Sequence, residues 1–221
     1  MCLMLEINKV HLWDCLELMK QIPDKSIDLV LTDPPYWIDA SKWASGFGSA
    51  GHKTKKYEDD WDKFIPSQEY FDELLRVGKT IIIFGGNYFT DMLPMSKHWI
   101  VWNKIGGHDF QNPFSDAELA WTSIPKKPIK MYTVIQQWFV SDEKDRYHPT
   151  QKPVNLFRMI VNDYTDKDMI ILDCFAWSWT TWVACKELWR NYILIEKEAK
   201  YIDIINKRLE NTTTNITTVT L

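Results

Sequence analysis

MIILDCFAWSWTTWVACKELWRNYILIE, residues 169–196, reads as strand, turn, helix and strand in succession. MIILDC (169–174) is a short, continuous apolar run, the pattern of a strand covered on both faces of a parallel sheet. TTWVACKELW (180–189) is helical and YILIE (192–196) is a second buried strand. Two such strands joined by a helix make a crossover unit, in which the strands run parallel. The alternation extends in both directions. EAKYIDIINKRLE (198–210) follows as a helix, and the amphipathic VNLFRMIVNDY (154–164) precedes. Upstream, IDLVLTD (27–33), SQEYFDELLRVG (67–78) and KTIIIFGG (79–86) repeat strand, helix and strand, the helix opening on a Ser cap and closing on Gly. NKVHL (8–12) is a short strand leading into a helix from about Cys15 to Gln21, and HWIVWNK (98–104) and AELAWTS (117–123) are two further strands. Residues 39–57 form a loop rich in Gly, Ser and Lys, and 124–147 show little periodicity. These readings predict an α/β fold with a mostly parallel sheet, and a Thr-rich segment at 211–221 that frays.

Composition narrows the classes. A chain of 221 residues, 45% apolar and 25% charged, suits one globular domain. It carries no apolar run long enough to span a membrane and no secretory pattern at MCLMLEINKV, so a cytoplasmic location is expected. Cys2, Cys15, Cys174 and Cys185 lack zinc-ligand spacing and read as reduced thiols; no metal is implied. The net charge of −4 confines any nucleic-acid contact to local patches. Candidates are Lys53, Lys55 and Lys56, then Lys126, Lys127 and Lys130, then Lys144 and Arg146.

Three blocks carry chemistry. Asp33-Pro34-Pro35-Tyr36 ends the IDLVLTD strand. An aromatic amine is a poor nucleophile because its lone pair is delocalised into the ring. Acceptors on its two hydrogens draw it toward tetrahedral geometry and stabilise the charge that develops on attack. Asp33 offers a carboxylate, Pro34 a carbonyl fixed by neighbouring rings, and Tyr36 a face for an extruded base. His148-Pro149-Thr150-Gln151-Lys152-Pro153-Val154 leads into a helix and offers donors for a carboxylate or phosphate. The turn after strand 169–174, with Glu196 placed 19 positions beyond residue 177, has the spacing of a nucleotide-like site in which the acid binds ribose hydroxyls.

In this order the blocks resemble the N4/N6 amino-methyltransferases of DNA whose catalytic motif precedes the cofactor motif, over about Asn8 to Leu209. The resemblance implies a seven-stranded, Rossmann-like methyltransferase sheet with helices on both faces and the strands at 98–104 and 117–123 as an antiparallel edge hairpin. It implies one methyltransferase domain over 1–210 and S-adenosylmethionine as cofactor. Asp33, Pro34, Pro35 and Tyr36 become the catalytic and base-stacking residues. Asp173, Phe175, Ala176, Trp177, Ser178, Trp179, Thr180 and Thr181 would cradle the cofactor, with Asp14 beside them and Glu196 on its ribose. Lys152 and its neighbours would hold the methionine end. Residues 105–147, with the polar turn 106–116 and basic stretch 126–130, are the target-recognition candidates. The implied partner is double-stranded DNA with a flipped base, and a restriction endonuclease is a candidate second partner.

The family motif reads D-x-F-A-G-S-G-T-T, and this chain carries tryptophan where those glycines belong. It has 12 Trp and only 8 Gly, about half the ordinary glycine share of about 7%. The family commonly has glycine at the positions of Trp13, Trp37, Trp177, Trp179, Trp182 and Trp189, with Trp138 a weaker case. Trp61, Trp102 and Trp121 match family tryptophans, and Trp43 and Trp99 stay open. So selective a replacement suggests glycine codons read as tryptophan, as when UGA is translated with the wrong table. With literal tryptophans the turn would bind cofactor poorly. Adenine N6 is the favoured target and cytosine N4 the alternative. The rivals are a non-catalytic DNA-binding relative, if the tryptophans are genuine, and a methyltransferase acting on RNA or protein.

Overall fold

The computed structural model describes residues 5–36, 65–108, 115–125, 128–136 and 151–199. They form one sheet of eight strands: β1 (Lys9–Leu12), β2 (Ile27–Thr32), β3 (Gly78–Phe84), β4 (Trp99–Asn103), β5 (Ala117–Thr122), β6 (Lys130–Thr133), β7 (Ile170–Asp173) and β8 (Asn191–Glu196). Their order across the sheet is β1-β8-β7-β2-β3-β5-β4-β6. The helices are α1 (Cys15–Met19), α2 (Gln68–Val77), α3 (Val154–Tyr164) and α4 (Thr180–Glu187). The sequence-predicted helix at 198–210, the segment 39–57 and the tail at 211–221 lie almost wholly outside the described residues.

The apolar runs are continuous because both sheet faces are buried. Successive side chains of a strand point to opposite faces. Leu29, Leu31, Ile82 and Phe84 join one core, packed on α3 and α4 through Leu156, Phe157, Ile160 and Ala184. Val30, Ile81 and Ile83 join the other, with Met19, Phe71 and Leu74 from α1 and α2. The Phe84 and Phe157 rings stack at 5.3 Å. Strand β2 runs parallel to β3 on one side and to β7 on the other. The chain leaves β2 through α2 to reach β3, and leaves β7 through α4 to reach β8. The two crossovers depart in opposite directions across the sheet, and their helices pack in the two different cores, as expected when both have the usual right hand. The crevice at the carboxyl ends of β2 and β7 is therefore the topological switch point, where open α/β sheets bind ligands.

The sheet departs from the expected seven strands at one edge. β4 and β5 do pair antiparallel, but β6 lies outside them, parallel to β4. The pair is therefore internal. β6 escaped the periodicity reading because it is four residues long and only Tyr132 is buried. The two ends of α2 take different forms. Ser67 caps α2 with its carbonyl and not its hydroxyl, and Gly78 closes the helix by donating its N–H to Leu74 O while it also opens β3 in an extended conformation. A Cβ at Gly78 would lie 2.8 Å from Val30 Cγ2 and from Ile81 Cγ1, so glycine permits the close β2–β3 approach.

The tryptophans divide by environment. Trp102 and Trp121 are buried and donate their indole N–H to Val134 O and Pro94 O, each at 2.9 Å. Trp99 donates to Ser96 O at 3.2 Å. By contrast Trp179 and Trp189 have φ of 61° and 57°, the left-handed region that favours glycine. Trp189 leaves its ring 73% exposed just beyond α4, and Trp13 is 62% exposed. Trp182 is buried within α4. Exposure makes Trp189 the simplest test. Trp189→Gly relieves about 1–2 kcal/mol of left-handed strain, less about 0.5–1 kcal/mol of added unfolded-state entropy. A net gain of about 0.5–1 kcal/mol is expected, read as a higher midpoint in urea unfolding.

Candidate active site

Three acidic residues stand at the carboxyl ends of adjacent parallel strands. Asp33 follows β2 directly, Asp173 ends β7 and Glu196 ends β8. The continuous apolar strands behind them leave the first polar side chain at the sheet edge, over the switch point.

Asp33 is largely buried and both its oxygens are engaged. The Tyr36 hydroxyl donates to Oδ1, and Lys152 Nζ lies 2.7 Å from Oδ2. Burial pushes the Asp33 carboxyl above its ordinary value despite the opposing pull of the Lys152 ammonium. A carboxylate offers about four lone-pair directions, so two engaged oxygens can still accept from an amine. Tyr36 stacks on Tyr88 with centroids 5.1 Å apart and planes 15° apart. The Lys152 ammonium lies 5.5 Å from the Tyr36 ring centroid. Gly85, just after β3, makes room for this ring: it has φ 66°, and a Cβ there would overlap Tyr36. Gly85→Ala should destabilise the protein by about 1–2 kcal/mol from backbone strain and about 1–3 kcal/mol from overpacking. The Tyr36 environment should change with it, visible in near-ultraviolet circular dichroism.

The turn after β7 is built around Asp173. Its Oδ1 accepts from Phe175 N at 3.1 Å and its Oδ2 from the Thr181 hydroxyl at 2.5 Å. Burial raises its carboxyl to about 6. Residues Ala176–Ser178 form a 3-10 turn, and Trp179 in the left-handed conformation leads into α4. Trp177 is half-buried. The Trp179 ring turns into the core beside Trp182, and its buried indole N–H has no acceptor among the described residues. Glu196 is buried, accepts from Glu198 N at 2.7 Å and is raised by burial to about 7. Asp14 caps α1 by accepting from Leu16 N at 3.0 Å, while Trp13 N donates to Glu196 O at 3.1 Å. Asp14 therefore starts next to the end of β8.

The structure brings Lys152 to the acid of the first motif, 119 positions away in sequence, and its carbonyl accepts from the Thr180 hydroxyl at 3.0 Å. It thus links Asp33 to the start of α4. Two charged neighbours escaped the sequence reading. Glu118 in β5 lies 3.3 Å from Lys152 Nζ and 2.9 Å from Lys104 Nζ. A carboxylate inside the apolar strand AELAWT, and the Gly85-Gly86 pair after β3, were the available signals. Of the target-recognition candidates, Lys130 belongs to β6 and pairs with Asp163 at 3.3 Å. Residues 109–114, Lys126, Lys127, Lys144 and Arg146 lie outside the described residues, as do Lys53, Lys55, Lys56 and His148 to Thr150. Cys15, Cys174 and Cys185 are free thiols. Among the described residues no helix is long and apolar enough to cross a membrane.

A sequence profile described as DNA methylase, of the N6/N4 methyltransferase family, matches residues 101–207. The chain is 30% identical to the type II methyltransferase M.HinfI of Haemophilus influenzae over 92% of its own length and 68% of that protein. Among solved structures it is similar to the M1.HpyAVI–SAM complex, with TM-score 0.56, 25% identity, and coverage of 90% of this chain and 98% of that one. The cytosine-N4-specific PvuII DNA methyltransferase shares the fold, with TM-score 0.57 at 17% identity over 88% of this chain and 83% of that one.

Proposed function

Because the chain belongs to the DNA N4/N6 amino-methyltransferase family, we propose that it methylates the N6 amino group of adenine in DNA, with Asp33 as the acceptor that activates the amine. The observation that carries this reading is the alignment of Asp33, Asp173 and Glu196 at the ends of three neighbouring strands over the switch point.

S-adenosylmethionine supplies an electrophilic methyl on a sulfonium centre. The residues present fit that cofactor. Asp173 and Glu196 are buried carboxylates on adjacent strands, and the backbone between β7 and α4 takes the left-handed turn that glycine favours. Glu196 would bind the ribose hydroxyls, Asp173 fixes the turn through Phe175 and Thr181, and Asp14 lies beside the end of β8. The indoles at 177 and 179 are the part that does not suit close approach of a ligand, and we assign glycine to both positions, and to 189, in the native protein.

The target base would leave the duplex stack, because its amino group is out of reach within it. Asp33 and the Pro34 carbonyl accept its two N–H groups, and Tyr36, backed by Tyr88, supports the ring. In-line attack of the nitrogen on that methyl would break its bond to the sulfonium sulfur, which would depart as a neutral thioether, and the surplus proton of the methylated amine would leave through the Asp33 carboxylate to solvent. An aspartate opening the motif favours adenine. The fold shared with a cytosine-N4-specific enzyme keeps cytosine N4 as the second reading. Digestion of a duplex methylated with labelled S-adenosylmethionine separates the two: the label is expected in N6-methyladenine, and label in N4-methylcytosine would reverse the assignment.

A further inference from the structure

We propose that Glu118, through Lys152, is a positioning residue for the Asp33 carboxylate; the proposal rests on the reading of Asp33 as the amine acceptor. Four charges form a chain of successive contacts at the sheet edge. Lys152 Nζ is 2.7 Å from Asp33 Oδ2 and 3.3 Å from Glu118 Oε2, and Glu118 Oε1 is 2.9 Å from Lys104 Nζ. Lys152 is almost fully buried, with its side chain 4% exposed. A buried ammonium needs compensation, and Lys152 sits in a close ion pair with Asp33. With Asp33 as its sole carboxylate partner the ammonium would be held there more strongly still, which would weaken Asp33 as an acceptor. Glu118, at 3.3 Å, is a second and longer carboxylate contact that shares the charge of the ammonium, and Lys104 holds Glu118 in place from its other side.

Among the described residues the other groups facing Asp33 include Tyr36, whose hydroxyl donates to it, and Asp173, which repels it across the switch point. Burial would raise the Glu118 carboxyl, but the Lys152 and Lys104 ammonium groups together hold it below its usual range. Glu118 therefore stays ionised at neutral pH. Its charge in turn raises the Asp33 carboxyl directly. Removing that charge, and releasing Lys152 wholly to Asp33, both push the Asp33 titration downward.

Two variants test this on the full chain by carbon-13 NMR titration of the Asp33 carboxyl, assigned by its loss in Asp33→Asn. This readout needs no methyl transfer. Glu118→Gln should lower the Asp33 titration midpoint by about half a pH unit or more. Glu118→Asp should keep it near that of the parent. In the same pair made in the chain with glycine at 177 and 179, kcat for DNA methylation should fall about tenfold or more for Gln and recover in part for Asp, with cofactor Kd unchanged. Lys104→Met, should Glu118→Gln not fold, is expected to move the Asp33 midpoint the opposite way, because Glu118 then draws Lys152 more strongly. An Asp33 midpoint unmoved in both Glu118→Gln and Lys104→Met would overturn the proposal. Absence of transfer to DNA by the chain with glycine at 177 and 179 would sink the functional reading instead, while the titration still decides the role of Glu118.

Discussion

Asp33→Ala should reduce methyl transfer to DNA by about 10²–10³-fold or more, the loss seen when one preorganised electrostatic partner of a developing charge is removed. Cofactor affinity should stay within about twofold, because Asp33 belongs to the β2 end of the crevice and the cofactor turn to the β7 end. The variant leaves the Lys152 ammonium buried with Glu118 as its remaining carboxylate partner. Some stability is therefore lost as well, and single-turnover rates on folded protein are the proper comparison. A wild-type rate in Asp33→Ala would remove the chemical role assigned to this motif.

The second large effect is expected at the cofactor turn. Trp177→Gly/Trp179→Gly should bind S-adenosylmethionine at least about a hundredfold more tightly than the sequence with tryptophan, a difference of about 2.7 kcal/mol. Folding stability should change much less, since opposing contributions are of similar size. The ring of Trp179 is fully buried, and its removal costs about 3–5 kcal/mol. Against that stand about 1–2 kcal/mol of left-handed strain and about 1–3 kcal/mol for a buried indole N–H with no acceptor. Calorimetric titration of both chains measures the affinity difference, and tight binding by the tryptophan chain would refute the assignment of glycine. The codon at position 177 provides an independent check: UGG, as expected for Trp102, speaks against recoding, and UGA supports it.

The strands that position the site were legible because they are buried on both faces. IDLVLTD and KTIIIFGG show it as continuous apolar runs, and the acids follow where those runs end. β6 was not legible, since three of its four residues face outward and its pairing with β4 comes from a neighbour 30 residues away. The excess of tryptophan was visible as composition, but the left-handed backbone at Trp179 and Trp189 that separates them from Trp102 and Trp121 is a property of the folded chain. The place of Lys152 was hidden for another reason. Its motif reads locally as an anion-binding helix entry, whereas its ammonium is drawn by Asp33 and Glu118, which are remote in sequence. Long-range electrostatic partners leave no periodic trace, so the charge network could be found only once the sheet had set the strand order.

The most direct measurement is transfer of tritiated methyl from S-adenosylmethionine to separate duplex DNA, RNA and protein substrates by the chain with glycine at 177 and 179. Label is expected in DNA alone, and is expected to be lost in the same chain carrying Asp33→Ala. Label in RNA or protein, or transfer that survives Asp33→Ala, would contradict the proposed function.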